Sequence, residues 1–589
     1  MLLLLACAPD DPAPETPTLT ADGASVAYTW SGGSVTLDGE AEGEGTFSVT
    51  FAVVGDTVVP TVSSVDGGVL EGVTLRGGWS MAGEPVLWRQ GYQSWSWSGV
   101  TELLPTLDTA IDGDGDVQTI AAETAGTSWW AGLVGVPDGD SLLLGVTSTE
   151  RTKFYTAWST TEVAAVWGTR GERITLAPGA TVTLDPLWIG TDTSAHALWT
   201  TWAEQVRARP IGRTWVGWSD WYQYYGSASE ADILAELAAA PPLDLFQVDD
   251  GWEVAWGDWE ANDRFPSGTA ALATAIADRG MTPGLWMAPF YVARSTTTYA
   301  EHPDWWVRDA DGEVRHGSLS GNDYAILDVT HPDAAAWLSA QIAAKVAEGW
   351  TYLKLDFLFA GAVEGVRHDD VTGMEAYHRG LALLRDAMGE DTWFLACGAP
   401  MLPSVGYADS WRSGADIAFV SDPDPRRPFL RWQARSTAAR AFANGVWWWN
   451  DADNLLLRAP FTDVEVRGAL AANVASGGVW LLGDSFAALD ADTLALAVDP
   501  ALTALSGQRA EPVDPLDYVS GVDAGPFMEA STEDDEVPEV WTVGDVTVLL
   551  NLENGARTVS GPGGEELLTG ETAGAGERTL EAGGGEVWR

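Results

Sequence analysis

The pattern of apolar and polar positions changes twice along the chain and divides it into three regions. Between about residues 20 and 205, short segments such as GSVTLDG and GTFSVTFAVVG alternate apolar with polar positions, and turn residues separate them. Alternation with a period of two is typical of strands that have one buried face. Several such strands between regularly spaced turns predict an N-terminal β-sandwich.

The second region, from about residue 213 to 507, combines strand-like segments with helical ones. The helix before the segment YLKLDFLFAGA (352–362) shows the pattern, because Leu338, Ile342 and Val346 recur every four residues. About eight strand and helix pairs follow one another in roughly 290 residues, which predicts a (β/α)8 barrel and not an open doubly wound sheet. No Gly-rich phosphate loop follows any predicted strand, which also argues against a nucleotide-binding fold.

After about residue 508, short strands and Gly-rich turns return and predict a small C-terminal β-sandwich domain. The fold class is therefore α/β, a TIM barrel between two β-sandwich domains. The predicted boundaries are 1–19 for a signal and a Pro- and acid-rich linker, 20–208 for the N-terminal β-sandwich, 209–507 for the catalytic barrel and 508–589 for the C-terminal domain.

The first residues, MLLLLACAPDD, resemble a bacterial lipoprotein signal, in which Cys7 would become the lipidated first residue of the mature protein. The apolar run is shorter than usual and no Lys or Arg precedes it, which a start codon assigned too far downstream would explain. The alternative is a frayed apolar N-terminus. The signal predicts an exported bacterial protein that is lipid-anchored at the cell envelope, on its periplasmic or outer surface.

The charge balance narrows the class of partner. The chain of 589 residues has 31 basic and 85 acidic residues and a formal net charge of -54, so a nucleic acid would be repelled. The six histidines show no i, i+4 spacing, so neither a zinc site nor a cofactor is predicted. Contact with a membrane is therefore expected only through the lipid anchor at Cys7, because no other apolar run is long enough to span a bilayer.

The candidate chemistry lies at the carboxyl ends of the predicted barrel strands, where the active sites of TIM barrels are found. Carboxylates and rings dominate these positions, and such a site suits a hard metal ion or a glycosidic bond. The candidates are Asp220, Asp249, Asp250, Trp286, Asp356, Cys397, Arg412, Asp416, Asp451, Asp453 and Asp484.

Lys354 and Asp356 are two residues apart in a segment that predicts a buried strand, so both side chains are expected on one face. A buried carboxylate needs a cation or hydrogen-bond donors to stay ionised, and Lys354 could be that cation. One reading is a structural ion pair. The other is a pair of side chains that both face a substrate.

The segments FQVDDGW, PGLWMAPF, YLKLDFLFAGA, DSWRSGAD and WWWNDADNLLLR resemble, in order and spacing, the α-galactosidases (melibiases) of glycoside hydrolase family 36 and its sister family 27. The similarity covers the barrel from about 213 to 485, and GYQSWSWSG at 91–99 fits a loop of that family's N-terminal domain. The resemblance implies a retaining, exo-acting α-galactosidase that acts on α-galactoside oligosaccharides without a cofactor.

The same resemblance assigns roles to individual residues. Asp356 would be the nucleophile and Asp416 the acid/base. Asp249 and Asp250 would accept hydrogen bonds from the galactose O4 and O6 hydroxyls. The remaining residues that would bind or enclose the sugar are Trp95, Trp286, Lys354, Cys397 and Arg412.

Other functions stay open at this point. Within the same chemistry, the enzyme could be an α-N-acetylgalactosaminidase or could transfer galactosyl groups to build oligosaccharides. A non-catalytic carbohydrate-binding lipoprotein would require a missing nucleophile or acid, whereas both Asp356 and Asp416 are present. A metal-dependent barrel hydrolase is the last alternative.

Overall fold

The computed structural model describes residues 16–109, 126–169, 171–206, 208–319, 322–521 and 536–589. Cys7 and the predicted signal lie outside these residues. Among the residues described, no helix is both long and apolar enough to cross a membrane.

The N-terminal region is a β-rich domain in which most neighbouring strands are antiparallel, followed by the helix Ala195–Gln205. Its large sheet also takes in Val519–Ser520, which pairs in parallel with Gly99–Thr101. The N-terminal and C-terminal parts of the chain therefore share a sheet edge. The strands are Thr18–Asp22, Ser25–Trp30, Gly33–Val54, Thr57–Met81, Val86–Arg89, Gly99–Thr101, Thr127–Trp129, Ala131–Gly135, Ser141–Val146, Phe154–Trp158, Glu162–Trp167, Ile174–Leu176, Thr181–Thr183 and Leu187–Asp192.

The middle region is a closed parallel barrel, which confirms the predicted fold class. The barrel closes because its last strand pairs in parallel with its first, with Val216 opposite Trp480 and Trp218 opposite Leu482. In chain order, barrel strands 1 to 8 are Val216–Ser219, Leu245–Val248, Thr282–Met287, Tyr352–Leu355, Trp393–Ala396, Ser410–Arg412, Trp449–Leu455 and Val479–Leu482.

Helices surround the barrel, and the helix Pro332–Ala347 shows how the sequence fixes them. His331 caps its first turn, proline occupies the position where a missing N–H costs nothing, and Leu338 and Ile342 are fully buried. The α-helices of the barrel region are Trp221–Tyr224, Glu230–Ala239, Thr269–Asp278, Thr297–Glu301, Pro332–Ala347, Gly373–Met388, Arg427–Ala439, Asp463–Ser476, Ala491–Ala497 and Pro500–Thr503.

Short strands and 3-10 turns extend the loops at the barrel mouth. The strands Glu253–Ala255 and Asp258–Ala261 form a hairpin after barrel strand 2. A small sheet after barrel strand 3 is built from Tyr291–Ala293, His316–Leu319 and Asn322–Ile326. The 3-10 turns are Tyr225–Ser227, Leu358–Ala362, Leu402–Ser404, Ala441–Ala443 and, beyond the barrel, Pro515–Asp517.

The C-terminal region is again built from short strands, and it packs on the barrel through the helix Asp463–Ser476. Gly468 of that helix is small enough to touch the backbone of Gly583, where a Cβ atom would come within 2.0 Å of the carbonyl oxygen. The strands are Ala510–Pro512, Val519–Ser520, Val540–Val543, Val546–Asn551, Arg557–Gly561, Gly564–Glu565, Thr572–Ala573, Gly576–Leu580 and Gly584–Trp588.

A buried arginine fastens the N-terminal domain to the barrel. Arg440 donates through Nη1 to the carbonyl oxygens of Ser94 at 2.6 Å and Ser413 at 2.9 Å, and through Nη2 to the carbonyl of Gln93 at 2.9 Å. Charge-assisted bonds of this kind are stronger than neutral ones. They fix the loop that carries Trp95 over the barrel mouth.

Candidate active site

Asp356 follows barrel strand 4 and is held by two N–H donors. Its Oδ2 accepts from Trp286 Nε1 at 3.1 Å, and its Oδ1 accepts from the backbone N–H of Phe357 at 2.7 Å. Phe357 has a left-handed backbone (φ 53), which turns the chain sharply at the end of the strand. Asp356 is 7% exposed at the mouth.

Lys354 pairs directly with Asp249 and not with Asp356. Its Nζ lies 2.8 Å from Asp249 Oδ2, so the reading of Lys354 and Asp356 as a structural ion pair is wrong. Asp356 lies beyond the end of the strand, where the backbone turns, so the same-face rule for residues two apart no longer applies. Burial lowers the pKa of Lys354, but the carboxylates around it, led by Asp249, outweigh burial and raise that pKa.

Asp249 is almost fully buried, and the protein satisfies both of its oxygens. Oδ2 also accepts from Gln247 Nε2 at 2.7 Å, and Oδ1 accepts from the N–H of Asp250 at 2.9 Å. The N–H of Asp249 donates to Asp220 Oδ1 at 2.6 Å. Burial first, and then the charge of Asp249, raises the pKa of Asp220 to about 8. Asp220 therefore fixes the backbone of Asp249 through this hydrogen bond.

Asp250 lies beside Asp249 and receives a hydrogen bond from Trp256 Nε1 at 3.0 Å. Burial first, and then the neighbouring Glu253 carboxylate, raises the pKa of Asp250 well above its ordinary value. The two adjacent aspartates thus differ in environment. Asp249 is paired with a cation, whereas Asp250 faces another carboxyl group.

Asp416 lies four residues beyond the end of barrel strand 6, at the same mouth. Arg412 Nη1 lies 2.8 Å from Asp416 Oδ1. Burial is the largest effect on the pKa of Asp416. Arg412 lowers this pKa, Asp453 raises it, and the result is a pKa raised to about 6. The side chain of Asp416 is 27% exposed, so its proton is accessible from the cleft.

The remaining predicted residues line the same mouth. Trp286 is buried at the end of barrel strand 3, and Trp95 packs edge-on against Phe357 with ring centroids 5.3 Å apart. Cys397 is a buried free cysteine, and burial raises the pKa of its thiol well above the ordinary value, so it stays neutral. The next residue, Gly398, has a φ of 51, and a Cβ atom there would come within 3.0 Å of the Trp95 ring.

All nine residues predicted to be catalytic or substrate-binding therefore meet at the barrel mouth. The strand-end position Asp484 does not belong to this group. It accepts from the N–H of Leu457 at 2.6 Å and from Arg458 Nη1 at 2.6 Å, and so it ties down the loop after barrel strand 7. Asp484 is a structural carboxylate.

Trp256 was missed by the sequence analysis. It lies in the hairpin after barrel strand 2, bonds Asp250, and packs its ring 5.3 Å from Trp286 and 5.0 Å from Phe357. The strands of that hairpin have three and four residues, too few for an alternation pattern to show which side chain turns inward. The only available signal was the high tryptophan content of the chain.

The donor atoms at the mouth do not form a metal-binding group. Within the described ranges, no cluster of three or more His, Cys, Asp or Glu side chains is placed to hold a metal ion. The carboxylates of Asp249 and Asp416 are instead engaged by Lys354 and Arg412.

Parts of the chain are similar to known glycosidases. Residues 202–383 match the Melibiase family model. The α-galactosidase AgaA of Geobacillus stearothermophilus is 28% identical over 149 residues, which cover 23% of this chain and 20% of that protein. An A type blood α-D-galactosamine galactosaminidase of Flavonifractor plautii is 40% identical over 83 residues, 13% of this chain and 8% of that protein. The aligned segments thus span a fifth or less of these relatives.

A solved structure is similar over most of the chain. The α-galactosidase of Thermus thermophilus, in complex with p-nitrophenyl α-D-galactopyranoside, superposes with a TM-score of 0.63 at 25% identity. The match covers 85% of this chain and 97% of that one.

The fold and the site are typical of a glycoside hydrolase: a closed barrel whose mouth presents one carboxylate held by N–H donors and one carboxyl group whose pKa burial raises to about 6. Residues 202–383, which carry barrel strands 1 to 4, are similar to the melibiases, and most of the chain is similar in structure to an α-galactosidase.

Proposed function

We propose that the protein is a retaining, exo-acting α-galactosidase that removes terminal α-D-galactosyl residues from oligosaccharides or other galactosides by double displacement. The observation that carries the proposal is the contrast between two carboxyl groups at one mouth. Asp356 accepts two N–H hydrogen bonds that fix its oxygens at the mouth, whereas burial raises the pKa of Asp416 to about 6.

In the first step, an Asp356 oxygen attacks the anomeric carbon from the β face. The bond between that carbon and the leaving oxygen breaks, and its electron pair takes the proton of Asp416. The products of this step are a galactosyl ester on Asp356 and the free aglycone. Asp416 is left as a carboxylate, next to Arg412.

In the second step, the Asp416 carboxylate removes a proton from water, and the water oxygen attacks the anomeric carbon from the α face. The ester bond to Asp356 breaks and returns the carboxylate. Two inversions give net retention of the α configuration. Both residues end in their starting protonation states.

Sugar specificity is the first test of the proposal. By the family resemblance, Asp249 and Asp250 would accept hydrogen bonds from O4 and O6, and an epimer at C4 would then leave a buried acceptor without its partner, at a cost of about 1–3 kcal/mol. We expect the purified protein to prefer nitrophenyl α-galactoside to nitrophenyl α-glucoside on the order of 100-fold or more in kcat/KM.

An Asp249→Asn variant should relax this preference, because the amide can donate as well as accept and Lys354 loses its ion-pair partner. Asp484→Asn is the matched control, since it neutralises a buried aspartate outside the mouth. Similar wild-type rates on the two sugars would contradict the assignment, and equal preference in the two variants would remove Asp249 from sugar recognition.

A second candidate is an α-N-acetylgalactosaminidase, which the 40% identity to the galactosaminidase of Flavonifractor plautii over 83 residues favours. A panel of nitrophenyl glycosides distinguishes the two activities, because nitrophenyl α-galactosaminide and its N-acetyl form differ from the galactoside only at C2. Faster hydrolysis of a C2-amino sugar than of the galactoside would make this second function the correct one.

We also propose that the protein is exported and anchored to the cell envelope through a lipid on Cys7, on the strength of the apolar run before it. A Cys7→Ala variant, expressed with its native upstream region, should move from the membrane fraction to the soluble fraction. Membrane fractionation followed by immunoblotting measures this change. The same distribution for both forms would refute the anchor.

A further inference from the structure

Barrel strand 7 carries two buried aspartates, Asp451 and Asp453, to which neither the family resemblance nor the proposed reaction assigns a role. Each is only 1% exposed. The pairing register with barrel strand 8 shifts between Asp451 and Asn454, and Asp453 has a left-handed backbone with φ 69. Such a bulge re-aims a side chain, and a non-glycine residue keeps this backbone only where its surroundings fix it.

Each carboxylate oxygen of Asp453 accepts hydrogen bonds from two donors. Oδ1 accepts from the N–H of Asn454 at 2.8 Å and from Arg412 Nη2 at 2.9 Å. Oδ2 accepts from the hydroxyl of Tyr222 and from the N–H of Ile417 at 3.1 Å. Ile417 directly follows Asp416, and its N–H also reaches the Tyr222 hydroxyl at 3.2 Å. Asp453 thus holds the peptide next to the acid/base.

Arg412 divides one positive charge among three carboxyl groups. Nη1 contacts Asp416 at 2.8 Å, Nη2 contacts Asp453 at 2.9 Å, and Nε contacts Asp451 at 3.4 Å. An arginine that faced Asp416 alone would strongly favour its charged form. Because the other two carboxyl groups compete for the same guanidinium, Asp416 receives only part of this effect.

Of the three carboxyl groups that contact Arg412, Asp416 is the one that holds the proton. Burial raises the pKa of Asp453 as well as that of Asp416. The four donors on Asp453 favour its charged form, however, and they leave no space for a proton, whereas Asp416 is 27% exposed to the cleft.

We propose that Asp453 is a positioning residue for the acid/base: it shares Arg412 with Asp416, fixes the peptide that follows Asp416, and so keeps Asp416 ready to donate a proton. This inference rests on the proposed function, since it assigns Asp453 to the acid step of that reaction. Tyr222, from the short helix Trp221–Tyr224 after barrel strand 1, completes the arrangement by orienting Asp453.

The inference predicts a pH effect with a definite sign. An acid acts while it is protonated, so kcat/KM should fall as pH rises through the pKa of Asp416, about 6 in the wild type. Neutralising Asp453 removes a negative charge that raises the pKa of Asp416. It also removes a competitor for Arg412, whose positive charge then lowers this pKa further. The described groups that face Asp416 and set its titration are Arg412, Asp453, Lys354, Asp356, Cys397, Tyr222 and Tyr225.

The test compares the pH profiles of kcat/KM for wild type, Asp453→Asn and Asp451→Asn on a nitrophenyl α-galactoside and on melibiose. In Asp453→Asn, the basic limb should move to lower pH by about one unit, and melibiose, with its poor leaving group, should lose about tenfold more activity than the aryl substrate. Asp451→Asn is the matched control, equally buried on the same arginine but without a described contact to Ile417. The basic limb of the Asp451→Asn profile should move by less than half as much as that of Asp453→Asn.

An unshifted limb in Asp453→Asn, or equal shifts in the two variants, would overturn the inference and leave Asp453 a structural residue. If Asp453→Asn does not fold, as judged by thermal unfolding, Tyr222→Phe decides the question. That variant removes only the hydroxyl that holds Asp453 and the Ile417 peptide. It should reduce the rate on melibiose more than the rate on the aryl galactoside, and equal losses would overturn the inference. A wild type without α-galactosidase activity would instead refute the proposed function itself.

Discussion

Replacement of Asp356 by alanine is expected to lower kcat on every α-galactoside by a factor on the order of 10⁴ or more, because the group that would form the covalent bond is removed. The loss should be the same for good and poor leaving groups. Steady-state kinetics on a nitrophenyl α-galactoside and on melibiose measure it. Thermal unfolding should show that the variant stays folded, since the neighbouring pair Lys354 and Asp249 is untouched.

External azide should restore turnover in Asp356→Ala. The small anion can occupy the space left by the carboxylate and attack the anomeric carbon from the β face, so the product should be β-galactosyl azide. Asp356→Asn is the matched control: its amide fills that space, and its single oxygen can still accept from either Trp286 or Phe357, so azide should not rescue it. Near-normal activity in Asp356→Ala, or an α-galactosyl azide as its product, would show that Asp356 has a structural role.

Much of the fold could be predicted because its signals are local. The change from a period of two to alternating strands and helices is visible in short windows, and Asp356 directly follows one strand while Asp416 lies four residues after another. In a parallel barrel, all strand ends of one kind lie at one mouth. Local patterns together with this geometric rule therefore bring distant residues to one site.

The partner of each side chain could not be predicted in the same way. Lys354 pairs with Asp249, 105 positions away, because the barrel brings strands 2 and 4 close together and the lysine side chain is long. The bulge that aims Asp453 at Arg412 appears only when barrel strand 7 is paired with its neighbours. The parallel pairing of Val519–Ser520 with Gly99–Thr101 is likewise set by tertiary packing and leaves no periodic signal.

Replacement of Asp416 by alanine is expected to separate substrates by their leaving groups. Nitrophenolate leaves with little help from a proton, so formation of the galactosyl ester on Asp356 should survive on nitrophenyl α-galactoside. Melibiose has a sugar alkoxide as its leaving group, and its hydrolysis should fall by about 10²–10⁴-fold, the usual contribution of a general acid. A burst of nitrophenol followed by a slow steady state would show that the ester accumulates, because the base for the second step is also missing.

The pH profile and the stereochemistry of azide rescue complete this prediction. The wild-type basic limb arises as Asp416 loses its proton at a pKa of about 6, so in Asp416→Ala that limb should disappear from the profile for the aryl galactoside. Azide should react with the galactosyl ester from the α face and give α-galactosyl azide, the opposite anomer from the one expected with Asp356→Ala. Asp416→Asn is the control that keeps the side-chain volume beside Arg412, and it should show the same dependence on leaving group. A basic limb that persists near pH 6 in both variants, or equal losses on melibiose and the aryl galactoside, would assign the acid to another residue at this mouth.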